Sequence, residues 1–276
     1  EDRADVSAAD NPSGFNYDVY YTNDDPADSN YFSTTKAREV RDAIASTHPI
    51  LVGSPHNFEA PGFDGESEQD TCIQDYDSGV WGSATAKRIR IQSDNMLPKA
   101  EPWIRKVTGH ELFHHVQYST LGYGADNDGW GSWVMEGTAR YLEDKSFTDN
   151  DQNSGNTAYV SAASELLGDT NITLTDRSYD SALWWNYAGE QAGSVATEPA
   201  YGIDLMTKFL KIAAGREPDS IGVLREALAD LGESRSLESL YSDFQIANYT
   251  HDLDVSGLAD ADRYAYVDES AAGGGT

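Results

Sequence analysis

The chain has 276 residues, 39% of them hydrophobic, so it is long enough to bury a sizeable core, which argues against disorder of the whole chain. Its 47 acidic and 19 basic residues give a formal net charge of -28, which would repel nucleic acids and anionic membranes. No apolar run approaches the roughly 18 residues that a membrane span requires, and a single cysteine, Cys72, excludes an internal disulfide.

The acidic excess is spread along the whole chain, as in a solvated acidic surface. High salt would screen the repulsion within such a surface, so we expect a halophilic source, with a marine or calcium-rich setting as the alternative. The chain begins at Glu1 without an initiator Met or a signal-like segment, which favours a mature or trimmed form. We expect a secreted or extracellular monomer, with a periplasmic or cell-surface location as the alternative.

The first hundred residues mix strand and helix patterns. Residues 15–22 are aromatic and β-branched and predict a strand, whereas residues 34–46 carry apolar positions at helical spacing behind Ser33 as the cap. The stretch 53–82 is rich in Gly, Pro, Asp and Ser and predicts a long loop. Residues 87–93 alternate between apolar and polar, which predicts a half-buried strand at a sheet edge.

Helical patterns dominate the rest of the chain. Apolar residues at helical spacing over 103–118, behind Pro102, predict one helix, and a Gly- and Asp-rich loop at 121–131 leads to another at 132–145. Five further helices are predicted over residues 158–168, 179–191, 202–214, 219–231 and 236–248.

Because the strand patterns precede residue 95 and the later patterns are helical, the sequence predicts an α+β fold with two lobes. The expected boundaries are a mixed N-terminal lobe over 1–120, which includes the 103–118 helix, and a helical C-terminal lobe over 121–268. Residues 269–276 are expected to form a flexible tail.

The motif His110-Glu111-Leu112-Phe113-His114 lies inside the 103–118 helix. Positions i and i+4 of a helix share one face, so the two histidines can bind one ion while Glu111 projects beside it as a general base. Zinc in a hydrolytic site takes three protein ligands and leaves the fourth position to water, so a third ligand is required. Glu136, on the 132–145 helix, can reach the ion if the two helices pack antiparallel.

His-Glu-x-x-His followed by Glu136-Gly137 and Glu143 resembles the gluzincins, the zinc metallopeptidase clan that contains thermolysin, the zinc aminopeptidases and the bacterial collagenases. The resemblance covers about residues 109–143 and implies a two-lobed zincin fold. It also implies that Zn²⁺ is held by His110, His114 and Glu136, that Glu111 is the base, and that Glu143 orients a ligating histidine.

The segment that begins at Tyr179 resembles the helix of the same clan whose Tyr hydroxyl donates to the oxyanion. The resemblance therefore implies that Tyr179 is catalytic. A core or surface tyrosine is the alternative reading, and in that case the role would pass to Tyr187, Tyr201 or His251.

The sequence differs in two places from the aminopeptidase and thermolysin-like branches of this clan. The Gly-x-Met-Glu-Asn element with which the aminopeptidases hold a free amino terminus is absent, and Arg140 stands where thermolysin-like sequences have Asp. We therefore expect a divergent endopeptidase that acts on a peptide or protein substrate. A non-proteolytic zinc hydrolase, or a zinc-binding interaction module without activity, remains the alternative; the presence of Glu111 favours an enzyme.

A candidate calcium loop is formed by Asp149, Asp151 and Asn153, whose spacing is typical of oxygen-rich Ca²⁺ sites. The twelfth position holds Val160 in place of Glu, which excludes an EF-hand. An ordinary solvated loop is the alternative in a chain this acidic.

Overall fold

A computed structural model of the protein describes residues 2–6, 16–61, 69–76, 79–85, 87–122, 129–146, 157–169, 171–197 and 199–250. Within them one mixed sheet is formed by the strands β1 (Asp2–Val6), β2 (Tyr17–Tyr21), β3 (Gln69–Gln74), β4 (Gly82–Ala84) and β5 (Arg88–Gln92). The strand order is β1-β2-β3-β5-β4, in which β2, β3 and β5 run parallel. The outer strands β1 and β4 pair antiparallel with their neighbours.

The helices are α1 (Thr34–Val52), α2 (Ser93–Met96), α3 (Glu101–Leu121), α4 (Ser132–Ser146), α5 (Thr157–Gly168), α6 (Ala182–Ala192), α7 (Ile203–Ala213), α8 (Ser220–Asp230) and α9 (Leu237–Thr250). Two predicted start signals are confirmed: the Ser33 side chain accepts a hydrogen bond from the Lys36 amide, and Pro102 lies in the first turn of α3. A 3₁₀ turn, Tyr179–Ser181, leads into α6.

The predicted α+β class is confirmed, since every described strand precedes α3 and the described chain after α3 is helical. The prediction that residues 87–93 form an edge strand is wrong. β5 lies inside the sheet between β3 and β4, and the short β4 forms that edge.

The predicted 53–82 loop contains β3, which the sequence did not reveal. Its inward face consists of Gln69, Thr71 and Ile73, so two of the three buried residues are polar. The Thr71 hydroxyl donates to Gln69 Oε1 at 3.1 Å, which satisfies these groups within the strand. Because the buried face is polar, the apolar alternation that identifies a strand is missing.

α3 is the central element of the fold. It packs against α1 on one side and against α4 on another, and α4 in turn packs against α6. One continuous cluster of buried apolar side chains runs from the sheet through α3 to the last helices, with members such as Ile89, Ile91, Leu112, Phe113, Trp184, Phe209 and Phe244. Among the described helices, none has the length and apolar character needed to cross a membrane.

Candidate metal centre

α3 presents His110 and His114 on one buried face, with ring centroids 4.8 Å apart. α4 packs against this face and brings Glu136 to both rings. Glu136 Oε2 lies 3.2 Å from His110 Nε2 and 3.6 Å from His114 Nε2, and the ligand atoms of the three residues all lie within 4.8 Å of one another. The structure therefore brings together the three side chains that the sequence nominated as ligands.

Two of the three separations between these atoms match those of zinc ligands. Ligand bonds of about 2.0–2.2 Å in a tetrahedron place neighbouring ligand atoms about 3.4 Å apart. The distances from Glu136 Oε2, 3.2 Å and 3.6 Å, lie on either side of that value. Two imidazoles and one carboxylate are also a ligand set of catalytic zinc sites, so the residues present fit the metal.

Both histidines are oriented by a hydrogen bond at Nδ1, which leaves Nε2 to face the metal position. His110 Nδ1 donates to Glu143 Oε1 at 2.8 Å, as the resemblance implied. His114 Nδ1 donates to Gln117 Oε1 at 2.6 Å. The two Nε2 atoms therefore converge on Glu136, and with Nδ1 as the donor each histidine presents Nε2 as its ligand atom.

Gln117 was not identified from the sequence. Its side-chain nitrogen donates to the Met135 carbonyl at 2.8 Å and to Thr138 Oγ1 at 2.6 Å, both on α4. Because a carbonyl can only accept, the amide nitrogen must face Met135, and Oε1 is left to accept from His114. Its position one turn after His114 was the available signal, but the partners on α4 could not be read from sequence.

Glu143 contacts two cations besides His110. Its Oε2 lies 3.2 Å from Lys106 Nζ and 3.9 Å from Arg140 Nε. Burial alone would raise the pKa of Glu143, but the hydrogen bond with His110 and the charges of His110, Lys106 and Arg140 outweigh it and lower that pKa. Glu143 is therefore an ionised acceptor that holds His110 in place.

The metal position attracts positive charge. Burial alone would lower the pKa of His110, but its hydrogen bonds with Glu136 and Glu143 raise it to about 10. For Glu136, burial acts to raise the pKa, and the hydrogen bonds with His110 and His114 outweigh it and lower the pKa far below its usual range. The carboxylates around His110 thus favour a positive charge at this position.

Glu111 is buried beside the two histidines, and burial is the main cause that raises its pKa. The charges of His110 and His114 oppose this effect. Within the described ranges, Glu111 Oε2 has no hydrogen-bond partner. A carboxylate oxygen that no described protein group engages is available to accept a proton, as a general base requires.

The edge strand β4 runs directly against this base. A Cβ atom at Gly82 would lie 2.7 Å from Glu111 Oε1 and 2.9 Å from Val107 Cγ1. Only glycine allows the strand backbone to approach this closely. β4 therefore lies beside Glu111.

Tyr179 lies against His110, with ring centroids 5.8 Å apart in a stacked arrangement. Burial is the main cause that raises its pKa, followed by the charge of Glu136 and a hydrogen bond between the Tyr179 hydroxyl and that carboxylate. Tyr179 is still 42% exposed, so it borders the candidate metal position and is accessible from solvent.

The position of Tyr179 depends on a close approach between its turn and α4. A Cβ atom at Gly137 would lie 1.9 Å from Ser181 Oγ, so the absence of a side chain at Gly137 lets the Tyr179–Ser181 turn approach α4. The Ser181 hydroxyl also contacts α4 and lies 2.9 Å from the Trp133 carbonyl.

Of the remaining candidates, the structure describes Tyr187 and Tyr201. Tyr187 is buried and packs against Trp184 and Phe244, while Tyr201 accepts a bond from Tyr141 through its backbone carbonyl. His251 and the proposed calcium ligands Asp149, Asp151 and Asn153 lie outside the described residues.

The fold and the site together define a candidate metal centre of the His-Glu-x-x-His plus Glu type. No family model and no curated protein sequence matches the chain. Among solved structures, the chain is similar to a mutant of an M1 zinc metallopeptidase from Deinococcus radiodurans, with 16% sequence identity and a TM-score of 0.49. The similarity covers 84% of this chain and 49% of that one, so the chain spans about half the length of that protein.

Proposed function

We propose that the protein is a zinc-dependent endopeptidase. The observation that supports this most directly is the convergence of His110 Nε2 and His114 Nε2 on Glu136 Oε2, with the buried carboxylate of Glu111 alongside. Three ligands leave a fourth position open, which is typical of catalytic zinc sites and not of structural ones.

Zinc held by His110, His114 and Glu136 would supply Lewis-acid chemistry, because it polarises a carbonyl oxygen and makes water more acidic. Glu111 takes the proton from the attacking water at a carboxylate oxygen and delivers it to the leaving amine nitrogen. The hydroxyl of Tyr179 donates to the carbonyl oxygen of the substrate as negative charge develops there. Glu143 and Gln117 hold the two histidines in place.

The position of β4 supports a peptide as the substrate. It is an outer strand of the sheet, paired on one side with β5, and its Gly82 touches Glu111. An extended peptide that added to this strand would carry its carbonyl groups past the base. The absence of the aminopeptidase element from the sequence favours cleavage within a chain.

Glu111→Gln tests the proposal, because a neutral amide cannot accept the proton of water. We expect the variant to bind as much zinc as the wild type and to lose about 10²–10⁴-fold or more in turnover of a mixed peptide library. Glu226→Gln removes one negative charge from the exposed pair with Arg216 and serves as the matched control.

A chelator should abolish the wild-type activity, and added zinc should restore it. Retained activity of Glu111→Gln within about tenfold would show that another group is the base. Zinc binding without any peptide cleavage would favour a non-proteolytic hydrolase or an interaction module.

A further inference from the structure

Arg140 lies on the same face of α4 as Glu136 and Glu143, yet it takes no part in holding the metal ligands in the way Glu143 does. Its Nε is 3.9 Å from Glu143 Oε2, and its Cζ lies 5.7 Å from the centroid of the Tyr179 ring. Because Tyr179 in turn stacks on His110, the guanidinium is one side chain away from a metal ligand.

One hydrogen-bond donor of Arg140, its Nε, is unused within the described residues. A guanidinium has five N–H donors, and Nε of Arg140 is buried without a hydrogen-bond acceptor in the described part of the chain. Leaving a charged donor desolvated and unpaired is unfavourable. The side chain is 22% exposed, so a group that enters from solvent can reach the guanidinium.

Glu143 does not account for this arginine. One of its oxygens accepts from His110 at 2.8 Å, and the other lies 3.2 Å from Lys106 Nζ, closer than Arg140 Nε. The charge of Glu143 is therefore already balanced by Lys106. Arg140 is a second cation at the same carboxylate, in a chain whose net charge is -28 and whose cations are few.

We propose that Arg140 is a substrate-binding residue that holds a carboxylate of the peptide next to the Tyr179–His110 stack. A guanidinium binds a carboxylate through two parallel hydrogen bonds, which fixes both position and direction. The carboxylate comes either from an acidic side chain near the scissile bond or from the free carboxyl terminus of a short peptide. This inference rests on the proposed peptidase function and adds a preference for anionic substrates to it.

The test uses two pairs of short peptides. One pair has blocked ends and differs only in Glu against Gln at positions flanking the scissile bond; the other pair differs only in a free against an amidated carboxyl terminus. Binding is measured by calorimetry on zinc-loaded Glu111→Gln protein, which does not depend on turnover. We expect the carboxylate member of at least one pair to bind about ten- to a hundredfold more tightly, as a hydrogen bond to a charged group gives.

In the Glu111→Gln background, Arg140→Gln should bring the ratio of the two affinities within that pair close to one. Arg140→Lys should restore part of the preference. Arg216→Gln, which removes an exposed cation paired with Glu226, is the matched control and should keep the full ratio. Zinc content and circular dichroism of each variant show whether it has folded. If Arg140→Gln does not fold, the reduced affinity ratio is measured on Arg140→Lys instead. The pair that shows the preference identifies the source of the carboxylate.

Equal binding within both pairs, or a preference that persists in Arg140→Gln, overturns the inference. Failure of the proposed function has a different signature, since wild-type protein loaded with zinc would then cleave none of the four peptides. A protein that cleaves all four at similar rates is a peptidase without this anionic subsite.

Discussion

Gln117 Oε1 lies 2.6 Å from Nδ1 of His114, and the same amide donates to two groups on α4. A single buried side chain thus orients one candidate metal ligand and joins its helix to the helix that carries another. The hydrogen bonds of Gln117 couple the geometry of the metal centre to the packing of α3 against α4.

Gln117→Met should weaken zinc binding by about 10–100-fold, because partners that orient a ligating histidine contribute this much to metal affinity. Competition with a chromogenic chelator measures the affinity. Gln117→Glu is the informative second variant: its carboxylate still accepts from His114 but cannot donate to Met135. Zinc affinity near that of the wild type in Gln117→Met, with the fold intact, would contradict the assigned role.

Gly82→Ala should lower turnover and leave zinc content unchanged. The added methyl would lie 2.7 Å from Glu111 Oε1, so either the base or β4 must move. A displacement of about 1 Å near the reacting atoms can reduce the rate by about a hundredfold. Gly168→Ala is the control, since a Cβ there meets nothing within 4 Å. Equal kcat in both variants would show that β4 adapts at no cost to the base.

Tyr179→Phe should lower kcat strongly while zinc content and substrate binding stay close to those of the wild type. Loss of one donor to the developing oxyanion raises the activation barrier by about 2.7–4 kcal/mol, or about 10²–10³-fold in rate. Tyr187→Phe, in the core against Trp184 and Phe244, is the control for removing a phenol hydroxyl. A fully active Tyr179→Phe enzyme would transfer the role to another donor.

Stability should fall as the pH drops from about 6.5 to about 4, because burial lowers the pKa of His56 from 6.5 to about 4. In this window the unfolded chain binds a proton at His56 and the folded chain does not, so protonation favours unfolding. The loss reaches at most about 3 kcal/mol for this residue. Burial lowers the pKa of His48 in the same way.

The variant His56→Gln measures how much this one residue contributes to the pH dependence of the free energy of unfolding. His56 Nε2 donates to the Lys145 carbonyl at 3.0 Å, and its own carbonyl accepts from the Thr207 hydroxyl at 2.7 Å, so it joins α4 and α7 to the chain after α1. Urea unfolding at pH 7 and pH 5 should show a shallower pH dependence in the variant. An identical dependence in both proteins would mean that His56 titrates normally in the folded state.

The sequence predicts best what a single helix determines. His110, Glu111 and His114 occupy one face of α3 by helical geometry alone, so their arrangement follows from spacing. Glu136 lies on another helix, and it became a candidate through the resemblance and the need for a third ligand.

Residues whose role arises from packing between distant segments escaped prediction. Gly82 is significant because β4 passes against Glu111, and Gln117 because it reaches α4. The assignment of the 87–93 strand to the edge failed for a related reason: the three-residue β4 is too short to leave an alternating pattern, yet it covers that side of β5.

The proposed metal ligands and the residues that hold them belong to two consecutive helices. His110 is 26 positions from Glu136 and 33 from Glu143, whereas Tyr179 and the helices that support it come later in the chain. Contacts between near neighbours in sequence form sooner than distant ones, because less chain entropy is lost in closing the loop. During synthesis, α3 and α4 leave the ribosome before Tyr179, so we expect the nascent chain to acquire zinc before its cleft is complete and to cut peptides only after its C-terminal helices have folded.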